Sequence, residues 1–350
     1  MSSSTPEASR SPTLEDVAQV AGVSRATVSR VINGVRNVDP ELHEVVWRAV
    51  SSTGYVPNRA ARSLVTRKTG NIALVLSDSE SHTANDPFMG RFFTDPYFGR
   101  VVGGVLSELR PRGLHLALML AGDDDQRVKV VGDLRQGHAD GAVVMSLHPG
   151  DPLPALIAET SIPAVQFGRP AAPIPISYVD VANDKGAAMA AELLVERGCQ
   201  QIGVIAGPFE VPASADRLAG FRQAMARHGV AYVPTAVGGF THESGDKAMR
   251  ELLDQYPDLD GVFAFNDLMA QGAVVALHDM GRRIPEDVAV IGFDDSSPAL
   301  AARPALTTIR HPLEDMAAEA IRLLVARIDD PAAKLTSVIF EPRLIKRDSA

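Results

Sequence analysis

The stretch VAGVSRATVSRVING, residues 20–34, decides how the first part of this chain is read. Val23, Thr27, Val28, Val31 and Ile32 recur at helical intervals and form one apolar stripe. Arg25, Ala26, Ser29, Arg30 and Asn33 are left outside that stripe. Ser24 is a good N-cap and Gly34 a good stop, so the spacing predicts a short helix bounded by its own chemistry. Upstream, Thr13-Leu14-Glu15-Asp16 reads as a capped start, and Leu14, Val17, Ala18 and Val20 make a first helix joined to the second through Gly22. Two short helices across a glycine-containing turn are a helix-turn-helix. Downstream, Asp39 supplies a cap, Pro40 a first helical residue and Glu41 an early acid, before Leu42, Val45, Val46, Ala49 and Val50 repeat to Gly54. Three such helices share one small core. On this pattern alone a DNA-facing helix and an ordinary three-helix bundle remain alternatives, because every bundle has a polar face.

Two further features bear on that choice. After Tyr55 and Pro57, the segment to Val65 holds a helical register too short to be stable alone, so it is expected to order only on a partner. The formal charge of the 350-residue chain is −9, yet residues 1–68 carry nine Lys or Arg against six acids. A basic head on an acidic body fits a head that meets phosphates and a body that does not.

With 45% hydrophobic and 22% charged residues, the composition is that of a soluble globular protein with two or three packed units. No apolar run is long enough to span a bilayer, and the Ser-, Thr- and Pro-rich start MSSSTPEASRSPT has no signal-peptide core and reads as a disordered tail. A cytoplasmic location is expected. Cys199 is the only cysteine, which excludes an internal disulfide and a cysteine-based metal cluster and leaves a buried, inert thiol as the simplest role.

From Asn71 the pattern changes to NIALVLS, LHLALML, DGAVVMS, IPAVQFG, QQIGVIAG, DGVFAFN and VAVIGFDD. Continuous apolar runs of this kind are buried parallel strands, and intervening helices such as residues 187–197 and 217–228 cover a doubly wound sheet. The length of this part favours two α/β lobes. SVIFEP following LTTIRHP suggests that the chain crosses between them near Val179 and again near Thr307. Ligands of open α/β sheets bind at the carboxyl ends of strands. Asn266-Asp267, Asp294-Asp295 and Gly168-Arg169 stand at such ends, and Arg217 follows the loop after VIAGP. Such groups can pair with vicinal hydroxyls, although Asp294 and Asp295 could equally cap a helix, Arg217 hold a salt bridge, and Tyr97 with Phe98 belong to the core.

LEDVAQVAGVSRATVSRVING, YVPNRAARSL, DPYFGRVVGGV, ERGCQQIGVIAGP, ADRLAGF, FNDLMAQGAV, DVAVIGFDD and PALTTIRHP resemble the LacI/GalR family of bacterial transcription regulators, in one order from about Thr13 to Asp348. The resemblance implies a homodimer with a helix-turn-helix head, a hinge helix and a core similar to periplasmic sugar-binding proteins. The corresponding divisions are a tail over residues 1–11, a head over 12–56, a hinge and linker over 57–69, and a core over 70–348. The core's first lobe takes about 70–179 and 307–340, and its second about 180–306. By resemblance Arg25, Ala26 and Arg30 read bases of a pseudo-palindromic operator in the major groove, while Ser24, Ser29 and Asn33 meet phosphates. Asn58, Ala61, Arg62 and Leu64 match the hinge that enters the minor groove, with Leu64 as wedge. Small residues at Ala26 and Ser29 let the backbone approach while the arginines reach outward.

In the core, Tyr97, Phe98, Arg217, Phe240, Asn266 and Asp294 match positions that contact an effector. Gly168 stands where several sugar-responsive members carry an acid, and Ala213 where some carry a hydroxyl. Residues 79–95 form an unusually long connection, and no leucine heptads for a tetramerising tail follow Arg347. An aromatic face at Phe240 beside Asn266, Asp294 and Arg217 favours a mono- or oligosaccharide; a purine- or other corepressor-dependent regulator is the alternative. A free sugar-binding protein would have no use for residues 13–65. An enzyme is disfavoured: no Gly-rich phosphate loop opens a helix, no metal-spaced histidines occur, and His311 has no nucleophile beside it. Accordingly no catalytic residue, metal or cofactor is expected.

Overall fold

The computed structural model describes residues 10–33, 38–56, 68–77, 94–146, 148 and 150–350. Gly34, the hinge residues Asn58, Ala61, Arg62 and Leu64, the start of the tail and most of the 79–95 connection lie outside them. The chain divides into two units, residues 1–69 and 70–350.

In the first unit, α1 (Leu14–Ala21) opens on a capping box: Thr13 N donates to Asp16 Oδ2 at 2.7 Å while the Thr13 hydroxyl accepts from Asp16 N. Gly22, at φ 65°, stops it in the left-handed conformation that a side chain would disfavour. Ser24 caps α2 (Arg25–Ile32) by accepting from Thr27 N at 3.1 Å, and Asp39 caps α3 (Pro40–Thr53) by accepting from Glu41 N at 2.8 Å. Val17, Ala18, Val28, Val31, Ile32, Val46, Ala49 and Val50 form the core of the three helices. Val20 is not part of it, being 59% exposed, and Leu42 and Val45 also lie on the surface. The apolar face of each helix is thus narrower than its apolar sequence, because a three-helix core reaches only the residues facing its centre.

The second unit holds two six-stranded sheets. The first contains β1 (Asn71–Ser77), β2 (His115–Ala121), β3 (Gly141–Ser146), β4 (Ala164–Phe167), β5 (Ser177–Val181) and β11 (Ser337–Phe340), all parallel, in the order β11-β5-β4-β3-β1-β2. The helices α4 (Pro96–Leu109) and α12 (Leu313–Asp329) bury Val101, Val105, Met316 and Ile321 with the strands' apolar side chains on one face. On the other face α5 (Asp124–Arg135) and α6 (Leu153–Ala158) contribute Val130, Leu134, Leu153 and Ile157. The second sheet contains β6 (Ile202–Ala206), β7 (Thr235–Val237), β8 (Gly261–Ala264), β9 (Ala289–Asp294), β10 (Thr307–Arg310) and β12 (Arg343–Ile345) in the order β12-β10-β9-β8-β6-β7. Only β12 runs antiparallel there, against β10. Its helices are α7 (Asn183–Glu196), α8 (Pro212–Arg227), α9 (His242–Gln255), α10 (Asp267–Asp279) and α11 (Ser297–Ala301).

The lobe boundaries differ from the sequence-based expectation. The first crossing follows Val181, and the second follows Arg310, so Thr307–Arg310 belongs to the second sheet rather than the first. A third crossing between Phe340 and Arg343 returns the chain to the second lobe, where Ser349 Oγ donates to Val290 O at 2.6 Å. β12 is three residues long and β5 interleaves Tyr178 and Asp180, so neither has the continuous apolar run that marks a buried strand. Both are strands because of the neighbours they pair with. The helix carrying Arg217 begins at Pro212, which puts that residue in its second turn rather than at its start. Cys199 is half-buried, not buried, and its thiol donates to Asp260 O at 3.5 Å. Among the described residues no helix is long and apolar enough to cross a membrane.

Candidate functional site

Each unit carries a group of candidate residues. On α2 of the first, Arg25, Ala26 and Arg30 are exposed, and Ser29 and Asn33 are half-buried. Arg25 pairs with Glu15 at 3.1 Å between largely exposed side chains, an interaction weak enough in water to be exchanged for another partner. Arg30 has no ion pair among the described residues. The short polar residues are already engaged: Ser24 is the cap, and Asn33 Nδ2 donates to Ser29 Oγ at 3.2 Å. The two arginines are therefore the long exposed cations of this helix, Arg25 in a weak surface pair with Glu15.

In the second unit the candidate residues gather at the carboxyl ends of the strands of both sheets. Arg217, 5% exposed, lies with its guanidinium carbon 3.5 Å from the centroid of the Phe293 ring. Its Nε donates to Asn183 Oδ1 at 2.9 Å and its Nη1 donates to Phe265 O. Burial lowers its pKa while Asp294, Tyr97 and Asp180 oppose that shift. Tyr97, on α4 of the first lobe, comes within 5.8 Å of the His311 ring, and burial raises its phenol pKa. Asp294 closes β9 at φ 107°, a left-handed conformation costly for a side-chain-bearing residue and most often kept at functional sites. Its carboxylate is 3.5 Å from His311 Nδ1. Arg100 on α4 donates to Asp294 O at 2.7 Å and to His311 O at 3.1 Å, tying the first lobe to both residues. Arg169, after β4, forms an ion pair with Asp216 on α8.

Other candidates have different roles. Phe98 packs in the apolar core of the first lobe, 5.5 Å from Tyr97, and supports that ring from behind. Asn266 caps α10 by accepting from Met269 N at 2.9 Å and donates to Phe240 O at 2.9 Å, so much of its hydrogen-bonding capacity fixes Phe240. Phe240 itself sits at φ 64°, with its ring against Gly207, where a Cβ would meet Cζ at 2.2 Å. Asp295 is held in ion pairs with Arg347 and Arg310, which leaves Asp294 as the available acid of that couple.

Asp267 is structural. It accepts from Ser296 N at 2.7 Å, Ser296 Oγ at 2.9 Å and Thr308 Oγ1 at 2.6 Å. Burial, aided by Asp294, pushes its carboxyl up to about 8. A carboxyl whose pKa is higher in the folded than in the unfolded chain stabilises fully below its ordinary value, and that contribution is lost as pH rises through about 8. Between pH 5 and pH 9 the melting temperature of the protein should therefore fall relative to that of Asp267→Asn, which cannot ionise there. Parallel curves for the two proteins would contradict a protonated Asp267.

Sequence reasoning missed Asn183, Asp180, Gln166, Ser214 and Phe293, and passed over His311. Burial pushes the Asp180 carboxyl up, with His311 and Arg169 opposing the shift. Among the described residues, the buried side-chain nitrogen and oxygen atoms without a hydrogen-bond partner are Gln166 Oε1, Ser214 Oγ and both ring nitrogens of His311. Gln166 stands in β4, His311 directly after β10, and Ser214 in the first turn of α8, its hydroxyl beside Gly207, the residue that follows β6. Buried polar groups are nearly always paired, so orphans of this kind point to a hydrogen-bonding ligand.

Residues 13–58 match the model of bacterial regulatory proteins of the lacI family, and residues 191–350 match a periplasmic binding protein-like domain. The HTH-type transcriptional regulator CelR of Thermobifida fusca is 43% identical over 348 residues, covering 98% of this chain and 99% of that one. The HTH-type transcriptional repressor PurR of Escherichia coli is 36% identical over 344 residues, or 96% of each. A structure of a CelR–cellobiose complex superposes with a TM-score of 0.75 at 41% identity, covering 97% of this chain and 100% of that one. The lac repressor dimer bound to operator and the anti-inducer ONPF gives 0.80 at 25% identity, covering 97% and 99%.

Proposed function

The chain belongs to the lacI family of bacterial regulatory proteins, and from that premise we propose that it acts as a homodimeric repressor released from a pseudo-palindromic operator by a small carbohydrate. The observation that carries the effector reading is the cluster of Arg217, Asp294, Tyr97 and the unpartnered His311, which brings both lobes to one place at their strand ends. Arg217 and Asp294 offer a donor fork and an acceptor for neighbouring hydroxyls, and the aromatic rings of Tyr97 and Phe240 suit the apolar faces of a sugar. The similarity to a regulator solved with cellobiose makes a β-linked glucose disaccharide the first probe. Leu106 on α4 and Leu118 on the edge strand β2 are exposed apolar residues, which supports a second copy against that side.

Release follows from coupling. The three crossings, and Arg100 bridging α4 to Asp294 and His311, connect the lobes at the effector site. A ligand that binds one lobe arrangement more tightly shifts the population towards it, and linkage requires operator DNA to weaken that ligand by the same factor. The proposed hinge at Asn58, Ala61, Arg62 and Leu64, too short to be helical alone, would transmit the shift by losing its partner contacts.

The test is operator binding in a gel-shift assay with cellobiose titrated in. Loss of the shifted band at a saturable sugar concentration is expected. Enhancement of binding by free purine bases, with no response to saccharides, would replace this reading by a corepressor-dependent one. On the DNA side, Arg30→Ala should cost about 1–3 kcal/mol of operator affinity if its guanidinium pairs with a guanine, with much less loss on random DNA. Competition assays giving equal losses on both would reduce Arg30 to a phosphate contact.

A further inference from the structure

We propose that Glu15, on the first helix of the head, is a positioning residue that sets base specificity: it holds the Arg25 guanidinium by its Nε side, so that the two terminal nitrogens are presented together to a guanine. This rests on the operator-binding reading of the head.

In a helix-turn-helix the second helix lies in the major groove with its N-terminal residues on base edges, and the first helix crosses the phosphate backbone. Arg25 is the first residue of α2, where a side chain leans out past the N-terminal end of the helix. Glu15 stands in the first turn of α1, and an acid on a helix that must approach phosphates works against binding. The acid beside it is accounted for, because Asp16 closes the capping box with Thr13 and takes Arg10 at 3.0 Å. Glu15 takes no part in that cap. Among the described residues its charged partner is Arg25, with Oε1 3.1 Å from Nε and the two side chains 58% and 70% exposed.

The pair engages one edge of the guanidinium and leaves Nη1 and Nη2 without a partner among the described residues. Those two nitrogens match the O6 and N7 acceptors of guanine, so Arg25 can meet a base without breaking the pair. An exposed cation with no such partner finds phosphates on every duplex, which gives affinity without discrimination. Glu15 counters this twice, by biasing the guanidinium to one orientation and by repelling phosphate from the same place. The backbone fixes the spacing of the pair: Val23 N donates to Ala18 O at 3.1 Å across the turn at Gly22, and Ser24 caps α2. Arg30, in the last turn of α2, has no ion pair among the described residues and provides the internal control.

The probe is a duplex selected from a random library by the full-length protein, with each base pair of one half-site then substituted in turn. Arg25→Ala identifies the pair that Arg25 reads, as the position where discrimination is lost. There Glu15→Gln should lower discrimination about threefold to fivefold, the span of an exposed ion pair. The same variant should bind random DNA about threefold more tightly, since it brings one negative charge fewer to the phosphates. Glu15→Asp keeps the charge on a shorter arm, so it should lose the same discrimination and bind random DNA as the wild type does. In an Arg25→Ala background neither change should alter discrimination further, and the pair read by Arg30 should be unaffected throughout.

An acid in the first turn also favours the N-terminus of α1 electrostatically. If that is its whole role, Glu15→Gln lowers the melting temperature, weakens every duplex alike and leaves discrimination unchanged, which overturns the proposal. A loss of discrimination at a base pair that Arg25→Ala leaves intact also overturns it, since Glu15 would then be reading a cytosine amino group itself. Should Arg25→Ala level no base pair, the positioning role falls while the selected duplex upholds operator binding. Failure to select any duplex removes the operator reading, and the role of Glu15 falls with it.

Discussion

Arg217→Ala should bind operator DNA as the wild type does yet need on the order of 100-fold more effector for half-release, since a charge-assisted hydrogen bond is worth about 1.5–3 kcal/mol. The side chain is positioned by three contacts: Asn183 Oδ1 at the first crossing, Phe265 O at the end of β8, and the Phe293 face. These leave a planar cation between Asp294 and Asp180 with its remaining N–H groups available. Truncation removes the fork and leaves two carbonyl acceptors without their donor, so some loss of melting temperature will accompany the loss of response. Arg217→Lys keeps a charge without the fork geometry and should respond at intermediate effector concentrations. The combination of a gel shift without ligand and a release titration separates folding from response. Full release of the Ala variant at the wild-type effector concentration would remove Arg217 from the effector site.

The second large effect concerns stability. A Cβ at Gly272 on α10 would lie 2.0 Å from His242 O and 2.7 Å from Asp246 N on α9. Its counterpart on α9, Gly245, would meet Met269 O at 2.2 Å. The two helices therefore cross backbone against backbone, and a methyl cannot be accommodated by turning a side chain. Gly272→Ala should destabilise the second unit by about 3 kcal/mol or more, and lower its melting temperature by roughly 6–12 °C. Gly132 on α5 provides the control, because a Cβ there meets nothing within 4 Å. At that position alanine should instead stabilise by roughly 0.5–1 kcal/mol through helix propensity. Equal melting temperatures for the two variants would contradict the close crossing.

The glycine pair illustrates where reading a sequence stops. Gly132 and Gly272 both stand inside helices, and nothing in their neighbours along the chain distinguishes them. By contrast, the capping groups Thr13, Ser24 and Asp39, the left-handed stops at Gly22 and Gly54, and the apolar runs of β1, β3 and β9 are legible from the order of residues alone. Each depends on hydrogen bonds or side-chain periodicity within one turn or one strand. The family resemblance extends this reach to Arg217, Asp294 and Tyr97, which the structure gathers at the strand ends, while the hinge residues lie outside the described part. It does not distinguish Phe98 as a core support or Asn266 as a cap and tether.

By itself, then, the sequence determined the local elements: a capped three-helix head with exposed Arg25 and Arg30, followed by buried strands alternating with helices. The tertiary structure alone decided that β5 and β12 are strands, that the chain crosses three times, and that Asp295 is committed to arginines while Asp294 remains available. It also decided that His311 is a buried orphan beside them. The physical reason is range. Caps and amphipathic stripes are energies between residues a few positions apart, whereas Arg100 reaches Asp294 across 194 positions of sequence, a contact that exists only after both sheets have formed and packed their helices.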